Sequence, residues 1–220
     1  MNGIIRVLKA EIKENSENLA GAIIGLMIGV GFLSIFLAKT VMAEEGISFP
    51  EFLKIIIVVM ILFVVCVILA IGEAQSLGET FPLASKLGNK RSDIALGLIL
   101  KDILILILSG ILMYLVPKFL LSSVSDKILG AFGKIMSPSF IINFVLGISS
   151  ISLISGSIAY IFKVEPIIGS TFGIIFAFAL FLNGNIMNIS FISNMYLVIA
   201  LFLVGQILRF YIINKLDARF

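Results

Sequence analysis

The chain has 220 residues, of which 60% are hydrophobic and 13% charged, with a mean hydropathy of +1.20 and a formal net charge of +3. A soluble domain carries roughly 25% charged residues, and no water-soluble fold hides this much apolar surface, so a soluble enzyme is excluded and nucleic acid is not an expected partner. A hydrocarbon core of about 30 Å takes roughly 20 mostly apolar residues per helical span, which leaves room for six spans and short loops.

Taken in chain order, residues 3–15 put Ile4, Ile5, Leu8 and Ile12 on one helical face and Arg6, Lys9 and Lys13 on another. That is the pattern of a helix lying in the headgroup plane, too polar to span. The apolar run that follows has no short core ending in a small-residue cleavage site, so it reads as a retained anchor. The predicted spans are 18–41, 52–72, 100–121, 139–162, 166–183 and 193–213. The predicted fold is therefore an all-α membrane protein: one transmembrane domain over 1–220, with an interfacial helix in 1–17, six spans in 18–213 and a tail in 214–220.

Short cytoplasmic segments are enriched in Lys and Arg. With both termini inside, Arg6, Lys9, Lys13, Lys86, Lys90, Arg91, Lys101, Lys163, Arg209, Lys215 and Arg219 are cytoplasmic. Lys39, Lys54, Lys118, Lys127 and Lys134 fall outside. The bias favours cytoplasmic termini, and Pro117 is expected to kink span 3 or bring its end forward.

Helices in lipid associate by close contact, and small residues four apart let backbones approach. Gly21, Gly25 and Gly29 have that spacing in span 1, and Gly169, Gly173 and Ala177 in span 5. These seams serve either packing within the chain or a dimer interface. Span 4 carries Asn143, Ser149, Ser150, Ser152, Ser155, Ser157 and Tyr160. Polar groups at membrane depth face other helices or a water-filled path. The serines can instead bond back to carbonyls three or four residues earlier. That leaves Asn143, whose amide satisfies itself less easily, as the pathway candidate.

No Asp, Glu, Lys or Arg occurs between Ile55 and Ile71 or between Ile103 and Val116. Ion-coupled carriers usually hold carboxylates near the bilayer midplane, and none is expected here. There is no histidine and a single cysteine, Cys66, so no intrachain disulfide forms and the common zinc, haem and iron–sulfur ligand sets are missing. The sequence has no Gly-x-x-x-x-Gly-Lys-Ser/Thr loop, Gly-x-Ser-x-Gly or His-Glu-x-x-His, so no enzyme activity, bound metal or cofactor is expected of this chain. Asn188-Ile189-Ser190 matches a glycosylation acceptor too short to argue from.

The longest amphiphilic stretch is EAQSLGETFPLASKLGNKRSDIALGLILKD, residues 73–102. Glu73, Glu79, Lys86, Lys90, Arg91, Asp93, Lys101 and Asp102 alternate there with Leu77, Phe81, Leu83, Leu87 and Ile94. The pattern predicts a short helix at the membrane surface, a turn at Gly88 and a second helix capped near Ser92 that runs into span 3. The stretch suits a docking surface, or a cationic loop on lipid headgroups.

Within it, LASKLGNKRSDIALGLIL resembles the segment between the second and third spans of permease subunits of type 2 ABC exporters. The layout of interfacial helix, six spans and segment 76–97 matches that family over nearly the whole chain. The resemblance implies a cytoplasmic coupling helix docking on a separate ABC ATPase, which would hold ATP and Mg. Glu79, Phe81 and Leu83 would lie in that helix and insert into a groove of the ATPase, with Lys86, Gly88, Lys90, Arg91 and Asp93 at the turn and its pairing contacts. It also implies a second permease, as homodimer or heterodimer, and an amphiphilic cargo such as a peptide, antibiotic or lipid. The chain departs from larger relatives in having no extended external domain. The Ile-, Lys- and Asn-rich composition fits a bacterial plasma membrane. The alternatives are a non-transporting immunity or scaffold protein and, less favoured, a small secondary carrier.

Overall fold

The computed structural model describes residues 48–122, 137–163 and 195–215, together with Ile5, Thr171 and Ile175. The predicted interfacial helix (Ile5 apart), span 1 with Gly21, Gly25 and Gly29, and span 5 with Gly169 and Gly173 (Thr171 and Ile175 apart) lie outside the described residues. Every described element is helical. Helix α1 is Phe49–Gln75, a π-helical turn covers Ser76–Thr80, and α2 is Phe81–Lys86. Then come α3, Arg91–Leu121, α4, Pro138–Ile161, and α5, Met195–Lys215.

Local chemistry sets the ends. The Glu51 carboxylate accepts from the Ser48 amide at 3.1 Å and the Ser48 hydroxyl at 2.7 Å, with Pro50 in the first turn, so α1 starts three residues ahead of the predicted span. Ser137 caps α4, its hydroxyl accepting from the Phe140 amide at 3.3 Å ahead of Pro138. The π turn lies just ahead of Pro82, whose ring has no N–H and would clash with the carbonyl four residues back in an unbroken α-helix. The chain thus stays helical from Phe49 to Lys86, where the sequence predicts a break and a separate surface helix.

Gly88 then turns the chain with φ +73°, the left-handed conformation that only glycine adopts without strain. Helix α3 begins at Arg91, with Asp93 in its first turn near the positive end of the helix dipole. It starts one residue before Ser92 rather than being capped there, and it passes through Pro117 to Leu121.

Four described helices, Phe49–Gly78, Arg91–Leu121, Pro138–Ile161 and Met195–Lys215, are long and apolar enough to cross a membrane. With the composition, this makes the chain a membrane protein. α4 packs on α1 and most extensively on α5. One cluster joins Val58, Leu62, Leu69 and Met113 to Ile141, Phe144 and Ile148. A second, at the end of the bundle where α1 leads into α2, joins Leu77, Phe81, Ile94 and Leu98 to Tyr160 and Ile212. At Gly205 an added Cβ would lie 3.0 Å from the Leu153 Cβ, so a small residue lets α5 sit against α4.

Candidate functional site

Two features at that end of the bundle stand apart from an apolar scaffold: an exposed basic turn and, beneath it, a buried charged cluster. The turn is the tip of a helical hairpin whose first leg is α1 through α2 and whose second leg is α3. Lys86, Leu87, Gly88 and Lys90 are exposed, Leu87 by 53%. Asn89 closes the turn, its side-chain amide donating to the Ala84 carbonyl at 2.9 Å and its backbone amide to the same oxygen at 3.3 Å.

The other docking residues of the sequence reading are distributed differently. Phe81 is fully buried against Tyr160, their ring centroids 6.3 Å apart, so it fills the chain's own core instead of standing out for a partner. Leu83 and Asp93 are half-buried. Arg91 donates to the Asn214 carbonyl at 3.0 Å, fastening the start of α3 to the last turn of α5. Glu79 falls in the π turn, with its side chain outside the described residues.

The charged cluster joins three helices. Glu73 of α1, Lys101 and Asp102 of α3 and Arg209 of α5 are all buried. Arg209 pairs with Asp102 through Nη2 and faces the Glu73 carboxylate through Nη1 at 3.6 Å. Its Nη1 also donates to the Ser76 hydroxyl at 3.3 Å, and its Nη2 to the Gln206 side-chain oxygen at 2.6 Å. Gln206 in turn donates to Asp102 at 2.6 Å. Ser149 of α4 donates to Glu73 at 2.9 Å. Lys101 donates to the Gly72 carbonyl at 3.0 Å and lies 3.4 Å from Asp102, so it ties the two hairpin legs directly.

Two acidic and two basic side chains balance in formal charge, which is the condition for holding such groups away from water. Arginine suits the centre because its planar fork reaches several acceptors at once. Among the described residues, no group of three Cys, Asp or Glu gathers to hold a metal ion.

In the sequence, Glu73, Lys101 and Asp102 read as part of a surface connection and Arg209 as a topology marker, with no carboxylate expected near the bilayer midplane. The structure buries all four side chains, with Glu73 at Nη1 and Asp102 at Nη2 of the same Arg209 guanidinium. The signal was present in three short windows, IGEAQS, ILKDIL and GQILRF, where isolated ionisable residues interrupt apolar helix in equal numbers of each sign.

The span 4 serines divide. Ser150 bonds back to the Leu146 carbonyl at 2.6 Å and Ser155 to the Ser152 carbonyl at 3.2 Å, as the local reading expects. Ser149 reaches Glu73 instead, and the buried Ser152 and Ser157 hydroxyls have no hydrogen-bond partner among the described residues. Asn143 is buried too, and its side-chain oxygen has no hydrogen-bond partner among the described residues. An apolar groove of about 350 Å³ runs between α3 and α4, lined by Leu106, Gly110, Ile142 and Leu146; Asn143 is not among its described lining residues.

No family model matches the chain, and no curated protein or solved structure matches it either.

Proposed function

We propose that this chain is the membrane-spanning permease subunit of an ATP-driven exporter of the type 2 ABC class. In this reading it works as a dimer in a bacterial plasma membrane, with both termini cytoplasmic. It moves an amphiphilic cargo with energy from a separate ATPase. The single observation that carries the reading is the basic hairpin tip. α3 alone is 31 residues, about 46 Å at 1.5 Å per residue, against a hydrocarbon core of about 30 Å. The hairpin therefore has length to spare for a rigid tip outside the bilayer, where Lys86, Leu87 and Lys90 meet an acidic, partly apolar groove. The resemblance of segment 76–97 and the positive-inside bias support the same reading.

The burial of Phe81 reshapes the docking surface: its contacts come from the turn, and Phe81 stiffens the tip from below. The test is co-expression with a P-loop ATPase encoded alongside, purification through a tag on this chain, and ATP hydrolysis in lipid nanodiscs. A stoichiometric complex whose hydrolysis rises with amphiphilic peptide is the expected result. Absence of any stable complex counts against the reading.

The buried carboxylates favour one second reading, a cation-coupled secondary carrier. Against it, neither carboxyl group lies in the apolar stretches Ile55–Ile71 and Ile103–Val116 where a midplane coupling site belongs, and Arg209 and Lys101 match the two in number. Cargo uptake into proteoliposomes driven by a pH or sodium gradient without ATP would reverse that preference.

A further inference from the structure

The charged cluster sits at the base of the hairpin, and its bonds follow a pattern that charge neutralisation alone does not require. Arg209 touches the first leg twice, at Glu73 in the last turn of α1 and at Ser76, where the π turn begins. The same guanidinium holds the second leg at Asp102. Lys101 bridges to the Gly72 carbonyl of the first leg, and Arg91 ties the top of the second leg to the Asn214 carbonyl of α5. Leu77, Phe81, Ile94 and Leu98 then pack on Ile212 and Tyr160 between these ties. Both legs are thus fastened to one helix, α5, chiefly through a single side chain that is 1% exposed.

The consequence is mechanical. Of the first leg, the part beyond Arg209 is the π turn and the six residues of α2, a helix too short to hold its own position. π turns inside helices recur at functional positions. We infer that Arg209 is a positioning residue: it orders the hairpin tip and joins it to α5, so that displacement of the tip moves the last span with it. The inference rests on the docking role of the tip. It adds the part of the chain to which that tip is coupled.

The test is amide hydrogen exchange on the full-length chain in lipid nanodiscs, without any partner. Because Arg209→Met alone strands buried carboxylates, the variant is Arg209→Met with Glu73→Gln, which keeps the cluster neutral. A second neutral variant, Lys101→Met with Asp102→Asn, cuts the tie to α3 while leaving Glu73 and Arg209 paired. In both, amides of residues 77–90 are expected to exchange at least ten-fold faster than in the wild type. Residues 58–69 of α1 and 141–148 of α4 are expected to keep wild-type rates. Arg209→Lys, able to reach one carboxylate at a time, is expected to fall between.

Unchanged exchange at 77–90 in both variants overturns the inference. So does acceleration spread evenly over α1 and α4, which a merely structural role produces. Since no ATPase is present, a negative result here leaves the exporter reading standing, and failure to form an ATPase complex leaves this measurement intact.

Discussion

Arg209→Met leaves two buried carboxyl groups, Glu73 and Asp102, with one basic side chain, Lys101, between them. Asp102 keeps the Lys101 ammonium at 3.4 Å and the Gln206 amide at 2.6 Å. Glu73 keeps the Ser149 hydroxyl at 2.9 Å and shares the attraction of the same Lys101 ammonium. A buried charge left without its partner costs about 3–5 kcal/mol, so Arg209→Met is expected to lose that much stability. Adding Glu73→Gln removes the stranded charge and leaves Lys101 with Asp102. The loss then falls to about 1–2 kcal/mol, the scale of the hydrogen bonds given up. Adding Asp102→Asn instead leaves Lys101 with Glu73 and is expected to recover a similar share. Unfolding in mixed micelles, followed by circular dichroism as denaturing detergent is raised, measures all four proteins. A loss below about 1 kcal/mol for Arg209→Met, or rescue by neither carboxylate change, would refute the reasoning.

Other substitutions test separate parts of the structure. Lys86→Glu with Lys90→Glu is expected to abolish ATPase co-purification while stability stays within about 0.5 kcal/mol, because both side chains are exposed. Gly88→Ala meets open space, so its cost is the left-handed backbone alone, about 1–2 kcal/mol, and Gly88→Asn is expected to cost less on thermal unfolding. Gly205→Leu drives a side chain into Leu153 and is expected to cost about 1–3 kcal/mol in the same assay, with Gly205→Ala milder. Asn143→Leu replaces a buried amide oxygen, without a partner among the described residues, by an apolar group of similar size, so a gain of about 1 kcal/mol with transport retained is expected.

The helices were legible in the sequence because the bilayer imposes one rule, long apolar runs with internally bonded backbones, and that rule is local. The four described spans start and stop within a few residues of the predicted ones, apart from α3, whose start at Arg91 joins the predicted surface helix to span 3. The Gly88 turn was legible for the same reason, since glycine among polar residues marks a change of backbone conformation. The charged cluster was not. Glu73, Asp102 and Arg209 are far apart in sequence and meet only when three helices pack, and each lies near enough to a span end to pass for a solvated residue. Phe81 misled in the opposite direction, because an aromatic residue in a basic, amphiphilic stretch suits a partner's groove as well as it suits Tyr160 and Ile94.

The central claim is that the hairpin tip is where an ATPase docks, and site-specific photocrosslinking tests it most directly. A photoreactive side chain at Leu87, exposed at the tip, is compared in the co-expressed complex with one at Ser122, exposed at the opposite end of α3. An ATPase adduct from Leu87 and none from Ser122 is the expected result. No adduct from Leu87, or equal adducts from both positions, would contradict it.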